Sequence, residues 1–486
     1  MGFRERASRL LSGDGLKAKA FRGGAWLGSG SFAEQASRFG RNMLLTRLLA
    51  PEAFGTMAVV MSATSVLASI MDVGAREGLI QNPRGHEKGY VGATWWLAFG
   101  RSFAIYILLF LAAPFVARFY GNAELTALLR VAGAGLIFEG VMSARAYVAI
   151  KEMKFRKWAA INHGGGITGV LVTVVLAFFI RDVWALVIGS VAENAARCLY
   201  SYVICPFLPP LRWDRAAMRE LFGFSKGVFG LAILNLIFIR ADIFVLAKLY
   251  SAAELGLYAM AIYMVQTPTG FLMNLLGQTL LPAFSQVQHD AERTRRIFTR
   301  VTSALLLAGL PAVVFICFCG HSLLTLIYGW RYAAAAGALI VASCVALLNV
   351  INGQITMIFY ARGKPQLHRT CVLIMALTMI VLIYPFAKRF GLVGGQLACL
   401  IAMVFGLLFQ ALRIRRLVDL EFAKYGKVLA VAAAMAAGVA LVCFGGRHFE
   451  ALTSPVPNIL FGAAGCAAAY ALSLGFVLRG NLKELA

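Results

Sequence analysis

Apolar runs of roughly 20 residues, the length a helix needs to cross the hydrocarbon core of a bilayer, recur along nearly the whole chain with short polar breaks between them. Read at that period, the sequence predicts about fourteen spanning helices. The first eight fall near 23–46, 54–79, 91–117, 124–150, 158–180, 183–206, 220–247 and 254–282. The others fall near 300–319, 333–360, 370–387, 391–412, 428–446 and 457–478. Trp95, Trp96, Trp158, Trp184 and Trp330 stand near helix ends, at the level where headgroups favour amphipathic rings. No break is long or polar enough for a separate soluble domain. The chain therefore reads as an all-α integral membrane protein.

Composition agrees. The 486 residues are 60% hydrophobic and 14% charged, whereas about a quarter of a soluble domain is charged. The formal net charge of +24 admits two explanations, nucleic acid binding or basic cytoplasmic loops, and its distribution decides between them. With the first segment inside, the inner loops hold cation clusters at Lys151, Lys154, Arg156, Lys157, at Arg293, Arg295, Arg296, Arg300, and at Arg413, Arg415, Arg416. The outer loops hold only Arg47, Arg118, Arg181, Lys248, Arg331, Lys388, Arg389 and Arg447. Both termini are thus expected in the cytoplasm, which requires an even number of spans. The charge belongs to topology, and no nucleic acid partner is expected.

The basic segment 1–22 leads into an apolar run too long for a signal-peptide core. The 9 cysteines lie in or beside apolar segments without paired spacing, as small hydrophobes do, and imply neither disulfides nor zinc.

The chain carries an internal echo. Leu44–Gly55 reads LLTRLLAPEAFG and Val245–Gly256 reads VLAKLYSAAELG, with Arg47 and Lys248 each eight residues before a glycine. Each turn follows an odd-numbered helix, which implies parallel repeats related by an axis near the membrane normal. The expected organisation is a cytoplasmic segment 1–22, a first lobe 23–206, a cytoplasmic linker 207–219 containing Pro209 and Pro210, a second lobe 220–416, and two further helices over 417–486.

Enzymatic signatures are absent. No GxxxxGK[ST] loop occurs, and the six histidines show no ligand spacing. Gly164, Gly166 and Gly169 fit GxGxxG, but they open a membrane helix, where close helix packing explains them better than a dinucleotide. His163 beside them reads as a structural helix-end histidine. The outer loops are too short for a catalytic domain, so no enzyme and no cofactor is expected.

The most informative residues are ionisable groups at membrane depth, which cost roughly 2.5–3.5 kcal/mol each and face a partner or a water-filled cavity. The basic ones are Arg38, Arg41, Arg101, Arg130, Arg145, Arg197, Lys226 and Arg240, all in the first seven helices. Glu34 precedes Arg38, Asp72 precedes Arg76 and Glu193 precedes Arg197, each by one helical turn, so each pair shares a helix face. Asp242 is two residues from Arg240 and needs a different partner, as does Glu139. Arg130 and Lys226 suit snorkelling to an interface. For Arg38, Arg41, Arg101, Arg145, Arg197 and Arg240 the expectation is a cationic cavity. Guanidinium groups bind phosphate bidentately, and Glu34, Asp72, Glu193 and Asp242 are expected to orient them or to release them on protonation or ion binding. Asn162, Asn194, Asn352 and Gln354 suit either sugar hydroxyls or interhelical hydrogen bonds, with the second favoured.

At this point the chain resembles bacterial polysaccharide (O-antigen-type) flippases. The first lobe's Arg47-Leu-Leu-Ala-Pro51-Glu-Ala-Phe54-Gly55, Asp72-Val-Gly74 and Leu79-Ile-Gln81 look like that family's opening. The run Asn235…Arg240-Ala-Asp242, Leu255-Gly256-Leu-Tyr258-Ala259, Pro268, and later Asn349…Ala361-Arg362-Gly363-Lys364, is similar to its middle. The resemblance covers residues 25–370 and points to the multidrug/oligosaccharidyl-lipid/polysaccharide exporter superfamily. It implies two six-helix lobes forming a V around a central cavity, plus two C-terminal helices. It further implies alternating access that moves undecaprenyl-pyrophosphate-linked oligosaccharide across the bacterial inner membrane for exopolysaccharide, capsule or lipopolysaccharide synthesis. The partners it implies are membrane lipid and polysaccharide polymerase or export machinery. A cation-coupled drug exporter of the same superfamily ranks second, since its site should be acidic and aromatic. A membrane glycan polymerase or ligase ranks third.

Overall fold

The computed structural model describes residues 16–70, 75–210, 214–225, 229–418, 422–446 and 455–476. Among them there is no strand. The helices are α1 (Leu16–Leu48), α2 (Pro51–Ile70), α3 (Ala75–Gln81), α4 (Lys88–Tyr120), α5 (Glu124–Val141), α6 (Arg145–Lys151), α7 (Phe155–Phe179) and α8 (Val183–Ile204). They continue as α9 (Arg215–Ser225), α10 (Phe229–Leu249), α11 (Ala252–Gln286), α12 (Ala291–Ile327), α13 (Ala336–Ala361), α14 (Pro365–Val418), α15 (Phe422–Gly446) and α16 (Pro455–Phe476). Among the described residues six helical stretches are long and apolar enough to cross a bilayer, or seven if the bent pair α5–α6 counts as one span. The protein is a multi-pass membrane protein. The helix α1, which carries Glu34, Arg38 and Arg41, is not among those six.

Contacts divide the chain into two compact units, Met1–Leu236 and Ile237–Ala486, with the boundary inside α10. The echo noted in the sequence falls once in each unit, on the two-residue turns that join α1 to α2 and α10 to α11.

In the first unit α7 packs on both α1 and α8, while α4 and α8 pack on α5. The helix expected over 124–150 is broken, and α5 and α6 meet at 59°. A break at membrane depth is tolerated only where other groups satisfy the freed backbone, and here they do. The Val141 carbonyl accepts from Trp95 Nε1 at 3.0 Å and from Tyr202 Oη at 2.7 Å. The Ser143 N–H donates to Ser201 Oγ at 2.9 Å, and Ser143 Oγ donates to the Cys205 carbonyl at 2.6 Å.

The expected linker is docked on this unit. Asp214 caps α9 by accepting from Ala216 and Ala217 N–H, and Ala217 and Leu221 are buried against Leu79, Tyr90 and Trp95. The Trp96 indole donates to the Pro210 carbonyl at 2.8 Å. Around this apolar contact, Asn82 and Arg84 bond Glu220, and Arg84 also pairs with Glu87.

In the second unit α13 packs against α11, α12 and α14, and the last two helices, α15 and α16, pack on α12. Asn458 of α16 donates to Ser322 Oγ at 3.0 Å. Asn352 accepts from Gln410 at 3.0 Å, and Gln354 accepts from Thr302 at 3.1 Å. All three amide side chains are buried, so these polar residues tie helices together.

Candidate functional site

The first unit gathers a charge cluster on three helices. Along α1 the four-residue spacing brings Arg38 Nη2 to 2.9 Å from Glu34 Oε1, and along α8 it brings Arg197 Nη2 to 2.7 Å from Glu193 Oε1. The two pairs cross-link, with Arg38 to Glu193 at 2.5 Å and Arg197 to Glu34 at 3.5 Å. His163 Nδ1 on α7 closes the cluster, 2.7 Å from Glu34 Oε2. Two guanidinium groups therefore face two carboxylates, and the set is balanced when the imidazole is neutral.

The glycines of α7 make this possible. A Cβ at Gly166 would lie 2.6 Å from Glu34 Oε1, and one at Gly169 would lie 2.5 Å from Glu193 Cβ. Bare backbone lets both acids pass against α7 and reach the same arginines. The GxGxxG spacing is thus a packing device, as its place in a membrane helix predicted. His163, read in the sequence as structural, belongs to the charge cluster; its partner lies 129 residues away, where no local spacing could reveal it.

Beside the cluster lies a cavity of about 320 Å³ lined by Arg76, Ala98, Arg101, Glu139, Met142, Tyr147, Trp158, Asn162, Asn194 and Arg197. Three of these ten side chains are guanidinium groups and one is a carboxylate. The Arg76 guanidinium sits 4.9 Å from the Trp158 ring centroid, a cation–π contact that fixes its place in the wall. Arg197 joins cavity and cluster, with Nη2 in the ion pairs and Nε buried without a hydrogen-bond partner.

The structure unites only part of the residue set expected from sequence. Arg101 and Arg197 line the cavity, while Arg38, Glu34 and Glu193 form the adjoining cluster. Arg41 lies outside the cavity lining and donates to Asn42 Oδ1 at 3.1 Å. Arg145 is exposed at the start of α6, where Nη1 donates to the Pro206 carbonyl at 3.2 Å. Arg240 belongs to the second unit. Asp242, expected to orient arginines, accepts from Tyr258 Oη at 2.6 Å, with Gln396 Nε2 3.4 Å away. Asp72 lies outside the described residues, as does Lys226. Arg130 lies 4.0 Å from the Phe110 ring centroid and donates to the Phe110 carbonyl at 3.4 Å. Sequence reasoning named Arg76 only as a partner of Asp72 and Trp158 only as an interfacial ring, and placed neither in the cavity.

The second unit holds a cavity of opposite character. It encloses about 390 Å³ between α11, α12 and α13, and its lining is almost wholly apolar, including Met264, Pro268, Leu305, Ile316, Leu347 and Val350.

Comparison with known proteins places this architecture. The family described as "Polysaccharide biosynthesis protein" matches residues 44–337, more than half of the chain. The succinoglycan biosynthesis transport protein ExoT of Rhizobium meliloti is 24% identical over 66% of this chain and 65% of its own length. The lipopolysaccharide biosynthesis protein WzxC of Escherichia coli is 22% identical over 75% of this chain and 73% of its own. The teichuronic acid biosynthesis protein TuaB of Bacillus subtilis is 20% identical over 61% and 62%. The chain thus spans slightly less than two thirds of ExoT and TuaB. Among solved structures, the lipid II flippase MurJ in an inward closed conformation superposes with a TM-score of 0.77 at 13% identity, covering 93% of this chain and 99% of that one. An inward-facing multidrug resistance MATE transporter superposes with a TM-score of 0.60 at 14% identity, covering 79% and 95%. Both show the fold.

Proposed function

The chain belongs to the polysaccharide biosynthesis protein family, and from that premise we propose that it flips undecaprenyl-pyrophosphate-linked oligosaccharide from the cytoplasmic to the periplasmic leaflet of the bacterial inner membrane. The observation that carries this reading is the arginine-lined cavity in the first unit. A cation-binding drug site calls for carboxylates and aromatic faces. Three guanidinium groups against one carboxylate call for an anion, and the pyrophosphate of a lipid-linked glycan supplies it.

On this reading Arg76 and Arg101 take the pyrophosphate and Arg197 tethers it to the charge cluster. The polyprenyl tail stays in lipid. Transport proceeds by alternating access of two six-helix lobes within a chain of fourteen spans, both termini cytoplasmic, with α15 and α16 as the two added helices. No bond is made or broken. Glu34 and Glu193 release or recapture their arginines on protonation or ion binding, which couples the cycle to an ion gradient. Polysaccharide polymerase or export machinery receives the flipped unit.

The test is purified protein in liposomes carrying a fluorescent undecaprenyl-pyrophosphate oligosaccharide, with its exposure followed by an external sugar-modifying enzyme. Wild-type protein should flip it. Arg101→Ala, loading normally into the vesicles, should slow flipping about tenfold or more, because hydrogen bonds to charged groups are worth roughly 1.5–3 kcal/mol. Export of cationic dyes with no flipping of lipid-linked glycan would establish the drug-exporter reading instead.

A further inference from the structure

We propose that Glu139, together with Asn162 and Asn194, forms a sugar-reading wall in the first unit's cavity, distinct in chemistry from the arginines that take phosphate. The inference rests on the flippase reading.

Glu139 is hard to account for in any other way. It lies in the last turn of α5, exposed to the cavity. Among the described residues its carboxylate makes no ion pair or hydrogen bond, unlike Glu34 and Glu193 close by. A carboxylate facing a cavity is stable only where water or a polar guest meets it. It holds no helix to another, and it repels the phosphate that its arginine neighbours attract. A carboxylate is an acceptor only, with about four lone-pair sites, and the abundant donors on a glycan head are hydroxyl groups.

The two amides extend the same surface. Asn162 Nδ2 donates to the Trp158 carbonyl at 3.0 Å, which leaves its Oδ1 as an acceptor toward the cavity. Asn194 packs on Gly135, where a Cβ would lie 2.9 Å from its Nδ2, and among the described residues its amide has no hydrogen bond. The cavity lining therefore offers acceptors from α5, α7 and α8 interleaved with Arg76, Arg101 and Arg197, which offer donors only. A glycosyl pyrophosphate carries both complements in one head.

This division makes a prediction with crossed signs. In nanodiscs at neutral pH, binding is measured for a short isoprenyl pyrophosphate and for the same lipid bearing a neutral disaccharide. Wild-type protein should bind the glycosylated form more tightly. Glu139→Ala should weaken that ligand by about tenfold and tighten the bare pyrophosphate, because a like charge has been removed. Glu139→Gln, which keeps size and an acceptor, should recover part of the glycosylated affinity while still favouring the bare form. Both ligands shifting in the same direction in both variants, or neither shifting, overturns the wall and leaves the flippase reading standing. A wild type that binds the two ligands equally does the same. A wild type that binds neither overturns both.

Discussion

Glu193 accepts from two arginines on two helices, so its loss leaves two cations to share Glu34 alone. At the partial exposure of this cluster the net worth of each pair is small, because burial costs both ions their water. Removing one acid is different, because it leaves an excess of cation, although solvent access and the remaining Glu34 keep the loss below the roughly 3–5 kcal/mol of a fully buried pair. Glu193→Ala should therefore lower thermal stability in detergent sharply, and adding Arg197→Ala should restore part of the loss, a coupling that a double-mutant cycle measures. The glycines give a second, steric prediction. Gly169→Ala drives a methyl group into Glu193 and should cost about 1–3 kcal/mol. Gly28→Ala on α1, with nothing within 4 Å of the new carbon, should be neutral or gain up to about 1 kcal/mol from helix propensity. Equal effects at the two glycines would remove the steric account. The sequence disclosed the pairs Glu34–Arg38 and Glu193–Arg197 because four-residue spacing is a local rule. It disclosed that the glycines pack, but not which side chains they admit. Arg38–Glu193 and His163–Glu34 join distant helices, and only tertiary packing sets their register.

At the scale of elements, legibility follows whether a break has a local cause. The α5–α6 bend has little: the stretch Val141-Met142-Ser143-Ala144 contains no proline, a single glycine, Gly140, precedes it, and the sequence reads as one helix. Its cause is external, since Trp95 and Tyr202 hold the Val141 carbonyl. Replacing both by Phe should leave that buried acceptor unmatched and cost about 1–3 kcal/mol, read as a lower unfolding midpoint. Each single variant should cost less, because one donor remains. An additive pair of losses would mean that the two donors act independently of the bend. The linker illustrates the opposite case. Pro209 and Pro210 marked a boundary, and the chain does leave α8 there, yet the apolar side of α9 is docked on the first unit through Ala217 and Leu221. Composition locates a connection but does not say whether it is free.

For the whole molecule, the number of spans decides the orientation of everything after residue 365, and α14 is where the count turns. Its 54 residues would extend about 81 Å as a straight helix, more than twice the roughly 30 Å hydrocarbon core. One span cannot use that length. The chain instead turns at Gly391, whose φ of 63° lies in the left-handed region that glycine enters without strain. A Cβ at Gly394 would run into the Phe386 carbonyl, eight residues back, a contact that a straight helix forbids because those residues would lie about 12 Å apart along its axis. Two spans meeting at this turn are what the apolar runs 370–387 and 391–412 predict, with Lys388 and Arg389 on the outer side. A reporter fused after Arg389 should therefore be active as alkaline phosphatase and dark as a cytoplasmic fluorescent protein, and one fused after Arg416 should show the reverse. Matching signals at the two sites would mean that α14 does not cross twice, and the even span count would fail with it.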